Sequence, residues 1–276
     1  MERGSVAVMM TVYNDRANVV NSVRSILAQD FADFDFVVVD DGSDDGTPDL
    51  LDEEASRDSR IRVVRAGRLG RGAALNVAFE ATRAEFVANL DSDDLALPQR
   101  LRLQREFLQA HPRVGMVGSW GLLEEGGGRS LVAYPVRDGI LRRTLARFYP
   151  FVHSGVMYRR SAVVEAGGFS AHLSCCLDYD LASRVALGHE LANLPQPLCV
   201  LRKHPDRFFA RIAREEFQRV ATDVQRQYVR RARLSAVDRL LGRLYAESWR
   251  ISRRLRRGAG APPQAPDPAR ASRTST

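Results

Sequence analysis

Cysteine is scarce in this chain of 276 residues. There are three, Cys175, Cys176 and Cys199, and no two of them form a C-x-x-C pair. An odd number without that spacing argues against a disulfide framework and gives no zinc-ligand pattern. We therefore expect reduced thiols that are buried or partly buried.

Long apolar runs are also missing. The first run, residues 6–12, is too short for the core of a signal peptide and much too short for a membrane span. No later segment reaches about 18 uninterrupted apolar residues. The sequence therefore predicts a protein of the cytoplasm.

Two glycine-rich nucleotide motifs are absent. No G-x-G-x-x-G follows the first apolar run, and no glycine- and lysine-bearing loop of the Walker type occurs. Residues 67–72 are glycine-rich but follow a later strand, where Arg71 and the glycines could approach a phosphate at a helix start. A dinucleotide oxidoreductase is therefore disfavoured.

Positive charge is concentrated near the carboxyl end. Residues 211–257 carry fourteen Arg against five Asp or Glu, or +9; residues 258–276 add +1, which leaves −3 of the total +7 for residues 1–210. Apolar residues recur at helical spacing between the arginines, so we expect a basic amphipathic helical extension over 208–257. It could pack on the domain with its arginines in solvent, or it could bind a membrane or a partner. The last stretch, 258–276, is rich in Ala, Pro, Ser and Gly and is predicted to be disordered.

The chain does contain short apolar runs that alternate with helical patterns. Runs that predict strands lie at 6–12, 34–39, 61–64, 85–90, 114–119, about 155–159 and 198–202. Helices are expected at about 16–29, 48–57, 71–83, 98–110, 138–147 and from about 178, with a hairpin over 118–134. Near-continuous apolar strands separated by helices indicate an α/β fold with a mostly parallel sheet and helices on both faces.

Polar residues follow three of the predicted strands. They are Tyr13-Asn14-Asp15, Asp40-Asp41-Gly42-Ser43 and Asp91-Ser92-Asp93-Asp94. Asp and Ser are ordinary turn and cap residues, but ligands of parallel sheets bind where the strands end. Three carboxylates within four residues repel each other unless a cation or solvent compensates. Mg²⁺ or Mn²⁺ suits such a cluster because both prefer oxygen ligands and share coordination with phosphates.

Several motifs in a fixed order carry a family resemblance. They are residues 9–15 (MMTVYND), 39–47 (VDDGSDDGT), 70–76 (GRGAALN), 91–94 (DSDD), 153–160 (HSGVMYRR) and 178–181 (DYDL). Together they closely resemble glycosyltransferase family 2. The resemblance implies a GT-A fold, Rossmann-like in its sheet, over residues 1–207. Its nucleotide-binding half would span about 1–97 and its acceptor half about 98–207.

The resemblance also implies roles for individual residues. Those expected to bind the nucleotide-sugar are Tyr13, Asp15, Asp40, Asp41, Arg71, Asp91 and Ser92. Those expected at a Mg²⁺ or Mn²⁺ ion are Asp93, Asp91 and His204, and those on the acceptor or phosphate side are His153 and Ser154. Asp178 matches the family's general base. Two departures are Leu177, where a second acid usually precedes the base, and Arg68, where Asn is common.

The implied reaction is inverting transfer of a sugar, from a UDP-sugar, to a hydroxyl of a glycan, lipid-linked or cell-envelope acceptor. A sugar nucleotidyltransferase is one alternative, although the glycine- and lysine-bearing loop usual in that class is absent. Another is an inactive binding module whose basic arm, 208–257, contacts the inner face of a membrane. Nucleic acid is disfavoured because no recognised binding fold accompanies the arm.

Overall fold

The computed structural model describes residues 5–203 and 212–245. The strands are β1 (Val6–Val12), β2 (Phe34–Asp40), β3 (Ile61–Arg65), β4 (Phe86–Asn89), β5 (Leu95–Ala96), β6 (Val114–Glu125), β7 (Gly128–Val132), β8 (Met157–Arg159) and β9 (Glu190–Arg202). The helices are α1 (Val19–Leu27), α2 (Thr47–Arg57), α3 (Arg71–Ala81), α4 (Arg100–Ala110), α5 (Asp138–Leu145), α6 (Arg160–Glu165), α7 (Leu177–Gly188), α8 (Arg214–Arg231) and α9 (residues 236–245). A 3₁₀ turn covers His153–Gly155.

The first four long strands form the parallel part of the sheet, in the order β3-β2-β1-β4. Strand β1 lies in the middle, and six of its seven residues are buried. Because β2 and β4 flank it in parallel, the loops after all three strands meet at one edge. The predicted strands and the helices between them are confirmed here.

The later strands make the sheet mixed. Strand β8 pairs antiparallel with both β4 and β6, while β9 runs parallel to β6 and antiparallel to β5. Strand β6 extends to Glu125, beyond the predicted residue 119. There Gly126 and Gly127, both with positive φ, turn the chain into β7. The expected α/β fold with helices on both faces is confirmed.

Two apolar clusters cover the two faces of the sheet. Side chains of β1 alternate between them: Met9 belongs to one cluster, and Val8 and Met10 to the other. The three cysteines are unpaired and buried, as expected.

Helix α8 packs on the domain, which was one of the arrangements left open for the basic segment. Val220, Val224 and Tyr228, one face of its helical pattern, are almost fully buried in the same cluster as α3 and α7. The predicted boundary at 207/208 and the tail 258–276 lie outside the described residues. Within residues 5–203 and 212–245, no helix combines the length and apolar character that crossing a bilayer requires.

Candidate active site

The loops after β1 and β2 are joined by hydrogen bonds. The backbone N–H of Asn14 donates to Ser43 Oγ (2.9 Å), and its side-chain amide donates to Asp44 Oδ1 (2.7 Å). The backbone N–H of Asp15 donates to Thr47 Oγ1 (3.1 Å). The first two polar clusters of the sequence therefore form one rigid rim.

A third loop, after β4, closes the rim. Ser92 Oγ donates to Asp15 Oδ2 (2.6 Å), and the carbonyl oxygen of Ser92 accepts a hydrogen bond from Ser22 Oγ (2.6 Å). A cleft of about 600 Å³ opens between these loops and the start of α3. That volume falls within the range of sites for small molecules and cofactors.

The loop before α3 is held by Asp41. Its two carboxylate oxygens accept hydrogen bonds from the backbone N–H groups of Leu69 (2.6 Å) and Gly70 (2.9 Å). Gly42, at φ +80°, permits this approach, since a Cβ there would lie 3.1 Å from the backbone nitrogen of Arg68. Arg68 itself has φ +61° and places its guanidinium over the ring of Tyr13. Arg68, which departs from the family pattern, therefore stacks on Tyr13, the residue predicted to contact the base of the nucleotide.

Three carboxylates gather where the third loop begins. Oxygen atoms of Asp91, Asp93 and Asp94 all lie within 4.8 Å of one another. Asp94 is buried, and its carboxylate accepts hydrogen bonds from Ser154 Oγ and from the backbone N–H of Arg202 (3.0 Å). Asp91 and Asp93 instead line the cleft. A cation bound in the cleft would therefore meet these two acids first.

The electrostatics of the cluster are unequal. Burial, together with the negative charges of Asp93 and Asp91, raises the pKa of Asp94 well above its ordinary value. Burial also favours the neutral acid at Asp91, but Arg71 and His153 outweigh it and hold the pKa of Asp91 below its ordinary value. The guanidinium of Arg71 donates to Asp91 Oδ1 at 2.7 Å. An all-oxygen set with accumulated negative charge fits a hard divalent cation.

His153 lies between the acidic cluster and Asp178. Its Nε2 is 3.6 Å from Asp91 Oδ1, and its Nδ1 is 3.8 Å from Asp178 Oδ2. Asp178 stands in the first turn of α7, where a carboxylate is favoured by the helix dipole, and it accepts a hydrogen bond from the backbone N–H of Tyr179 (2.9 Å). One imidazole thus separates the two groups of acids.

Asp178 borders a second, smaller pocket of about 120 Å³. Its wall is largely apolar and includes Phe148, Tyr149 and Tyr179, together with Phe217 and Tyr245 from the last two described helices. Asp91 thus lines the cleft and Asp178 lines this pocket, with His153 between the two acids.

Most of the residues predicted from the sequence meet in one place. Those that line the cleft are Tyr13, Asp15, Asp41, Arg71, Asp91, Ser92 and Asp93. Asp40 is buried behind it, accepting from the backbone N–H of Ser43 (3.1 Å) and from Arg65 (3.0 Å). Ser154 is fully buried and tied to Asp94. His204 lies outside the described residues.

Two structural supports were not foreseen. Asp94 fastens the acidic loop to Ser154, and Arg202, at the end of β9, donates its side-chain Nε–H to the carbonyl oxygen of Asp93 (2.6 Å). The sequence signal for Asp94 was its place in the acidic run. Arg202 lies more than a hundred residues further along, and no spacing rule links the two.

Known proteins share this sequence pattern. The sequence model of glycosyl transferase family 2 matches residues 7–166, which is more than half of the chain. Glycosyltransferase EpsE of Bacillus subtilis is 32% identical over 212 residues, which cover 74% of each chain. Amylovoran biosynthesis glycosyltransferase AmsE of Erwinia amylovora is 34% identical over 140 residues, covering 50% of this chain and 52% of that protein. The match thus spans about half the length of that relative.

Solved structures share the fold. TarS of S. aureus, residues 1–349 with UDP-GlcNAc, superimposes with a TM-score of 0.71 at 19% identity, covering 90% of this chain and 73% of that one. The mannosyltransferase PcManGT of Pyrobaculum calidifontis, with GDP-Man and Mn²⁺, gives 0.68 at 21% identity and covers 95% and 77%. At these identities the likeness concerns the fold alone, while the sequence matches identify the family. The chain belongs to glycosyltransferase family 2.

Proposed function

We propose that this protein transfers a sugar from a nucleoside-diphosphate sugar to an acceptor hydroxyl with inversion at the anomeric carbon. The observation that carries the proposal is the row Asp91–His153–Asp178, which joins an acid-lined cleft to a carboxylate on the far side of one imidazole. An inverting transfer needs this division, because the acceptor hydroxyl attacks the anomeric carbon on the face opposite the departing nucleoside diphosphate.

Donor binding is assigned to the cleft. Tyr13 and Asp41 stand where the loops after β1 and β2 meet, and they would contact the base and ribose. The first backbone N–H groups of α3, beginning at Arg71, open on the same cleft. A helix amino terminus favours anions, so the diphosphate would lie there.

A divalent cation fits beside the diphosphate. Asp93, with Asp91, would hold it, because these two carboxylates face the cleft while Asp94 is occupied by Ser154 and Arg202. Mg²⁺ or Mn²⁺ bound there would neutralise negative charge on the leaving nucleoside diphosphate. Arg71, already 2.7 Å from Asp91, would contribute a fixed positive charge from the protein itself.

Asp178 is the proposed general base. It would accept the proton of the acceptor hydroxyl as that oxygen attacks the anomeric carbon. His153 keeps Asp178 apart from Asp91 and contacts both, so we assign it a positioning role between the two sites. Leu177, directly before the base, supplies no second carboxylate, and Asp180 is committed to Ser170 and Arg184.

The proposed donor is a UDP-sugar and the proposed acceptor is a glycan of the cell envelope or of an exported polysaccharide, reached in the cytoplasm or at the inner face of the membrane. The name of the Erwinia relative, amylovoran biosynthesis glycosyltransferase, supports a polysaccharide acceptor. TarS was solved with UDP-GlcNAc and the Pyrobaculum enzyme with GDP-Man, so uracil and guanine are the two nucleotide bases to compare.

Calorimetric titration of the full chain with UDP, GDP and dTDP, with and without Mn²⁺, tests the proposal. We expect UDP to bind most tightly and Mn²⁺ to strengthen its binding. Asp93→Asn should lose that metal-dependent gain, whereas Asp52→Asn, an exposed acid on α2, should keep it. If none of the three nucleotides bound in the presence of metal, the enzyme assignment would be wrong.

Membership of the family disfavours the alternative of a sugar nucleotidyltransferase. An inactive binding module makes a different prediction, since it would bind nucleotide without turning over any sugar donor. Slow release of UDP from UDP-sugars by the wild-type chain, lost in Asp178→Asn, would exclude that alternative.

A further inference from the structure

One side of helix α9 packs against the domain. Ser235 caps its amino terminus: Ser235 Oγ accepts a hydrogen bond from the backbone N–H of Asp238 (3.0 Å), and the Ser235 hydroxyl donates to Asp238 Oδ2 (2.6 Å). Gly242 lies so close to the end of α5 that a Cβ there would be 2.8 Å from the carbonyl oxygen of Ala146. Gln225 of α8 donates its side-chain amide to the carbonyl oxygens of both Ala146 (2.6 Å) and Gly242 (2.7 Å).

The opposite side of α9 carries a stripe of exposed apolar residues. Its members, at spacings of three and four residues, are Val237 (65% exposed), Leu240 (57%), Leu241 (39%) and Leu244 (56%). At about 100° per residue these four fill one arc of the helix, facing away from Asp238 and Gly242. A contiguous exposed apolar surface of this kind marks an interaction site.

Exposed arginines accompany the stripe. Arg243 borders it on α9, Arg239 lies further round the same helix, and Arg230, Arg231 and Arg233 are exposed in the chain just before. They belong to the segment 211–257, whose net charge is +9, whereas residues 1–210 carry −3. A second copy of the same helix would bring a second set of arginines against the first. A membrane that contains anionic lipids matches both features, because its phosphates suit the arginines and its acyl chains suit the apolar stripe.

We propose that α9 docks the protein on an anionic membrane surface. The stripe enters the boundary between headgroups and acyl chains, and the arginines lie against the lipid phosphates. The membrane contact considered for residues 208–257 is thereby assigned to the exposed apolar face of α9. Helix α8 takes no part through its apolar residues, because Val220, Val224 and Tyr228 are buried in the domain.

Docking by α9 has a consequence for the acceptor, which rests on the proposed function. Tyr245 of α9 lines the pocket that contains Asp178, and Phe148, 42% exposed, lines it as well. A helix with its side chains is about 10 Å across, so a docked α9 holds this pocket close to the lipid surface. The acceptor class that fits is a sugar carried on a membrane lipid.

Sedimentation of the full chain with vesicles tests the docking. We expect binding to vesicles of phosphatidylcholine with phosphatidylglycerol, little binding to phosphatidylcholine alone, and weaker binding as salt screens the arginines. Leu240→Gln with Leu244→Gln should weaken binding at least about tenfold, because half of each side chain is still exposed and available for burial. Leu131→Gln, on β7 and 56% exposed, is the matched control and should bind like the wild type.

A site-specific probe adds a second readout. The native cysteines are buried, so Leu244→Cys can be labelled selectively with a dye that reports polarity. Anionic vesicles should shift its emission to the blue and leave the same dye at Leu131→Cys unchanged. Unaltered binding of the double glutamine variant, or an unshifted label at position 244, would overturn the proposal. So would a vesicle-independent dimer that the double glutamine variant dissolves.

Nucleotide titration of the same variants separates the two proposals. Vesicle binding with no nucleotide binding would leave the docking face standing and refute the transferase. UDP binding with no vesicle binding would refute the docking face alone.

Discussion

Asp41 gives the sharpest single-residue prediction for nucleotide binding. Its carboxylate accepts two backbone hydrogen bonds, from Leu69 at 2.6 Å and Gly70 at 2.9 Å, and so fixes the loop that carries Arg68 over Tyr13. Asp41→Asn preserves size and shape but leaves one acceptor oxygen. One backbone N–H then faces an amide NH₂, and its hydrogen bond is lost.

The expected magnitude follows from that one bond. A hydrogen bond to a charged group contributes roughly 1.5–3 kcal/mol. If the loop must be ordered for UDP to bind, the variant should bind UDP roughly tenfold to a hundredfold more weakly. The same loss should lower the free energy of unfolding of the nucleotide-free protein, because the Asp41 anchor exists without ligand.

Calorimetric titration with UDP and thermal unfolding without nucleotide measure the two effects. Asp52→Asn again serves as control, since Asp52 is exposed and contacts Arg65 outside the cleft. Unchanged UDP affinity in Asp41→Asn would refute the anchoring role. Weaker binding with unchanged stability of the nucleotide-free protein would show that direct contact of Asp41 with the ligand, and not its anchoring of the loop, causes the loss.

Three further predictions concern the base, the core and acid stability. Asp178→Asn should slow transfer by roughly 10²–10⁴ with unchanged UDP affinity, measured by steady-state kinetics and titration; full turnover would remove it as the base. Arg100 is fully buried and donates to two backbone carbonyls at 2.7 and 2.9 Å, so Arg100→Met should lower the free energy of unfolding by about 3 kcal/mol in a urea titration. The hydrogen bond from Arg24 lowers the pKa of Glu54, so its stabilisation is present above the pKa of an unfolded glutamate and is lost as the pH falls through the lower folded value. Glu54→Gln should therefore flatten the acid side of a stability–pH profile, and exposed Glu53→Gln should not.

Local patterns predicted the first half of the fold well. Strands β1, β2 and β4 are short apolar runs that end in polar residues. Neighbouring residues in the sequence therefore indicate both the strand and the point where it ends. Parallel pairing then brings Tyr13, Asp41 and Asp91 to one edge, as expected. The family motifs supplied what spacing could not, namely the prediction that Asp178 acts together with these residues.

Long-range pairings were the features that local patterns missed. Strand β5 has only two residues and exists because it pairs with β9, so it has no periodicity of its own. Helix α8 showed an apolar face, but a face does not reveal its partner, which is the domain core. The contact of Arg202 with the acidic loop is likewise set by the course of β9 through the sheet.

The central claim is that Asp91 and Asp93 hold a cation against the diphosphate of a nucleotide bound in the cleft. A crystal structure of the full chain with UDP and Mn²⁺, with the metal located by anomalous scattering, tests it most directly. We predict one manganese peak in contact with the Asp93 carboxylate and the diphosphate, with the base beside Tyr13 and Asp41. A nucleotide bound outside this cleft, or a manganese peak away from both acids, would contradict it.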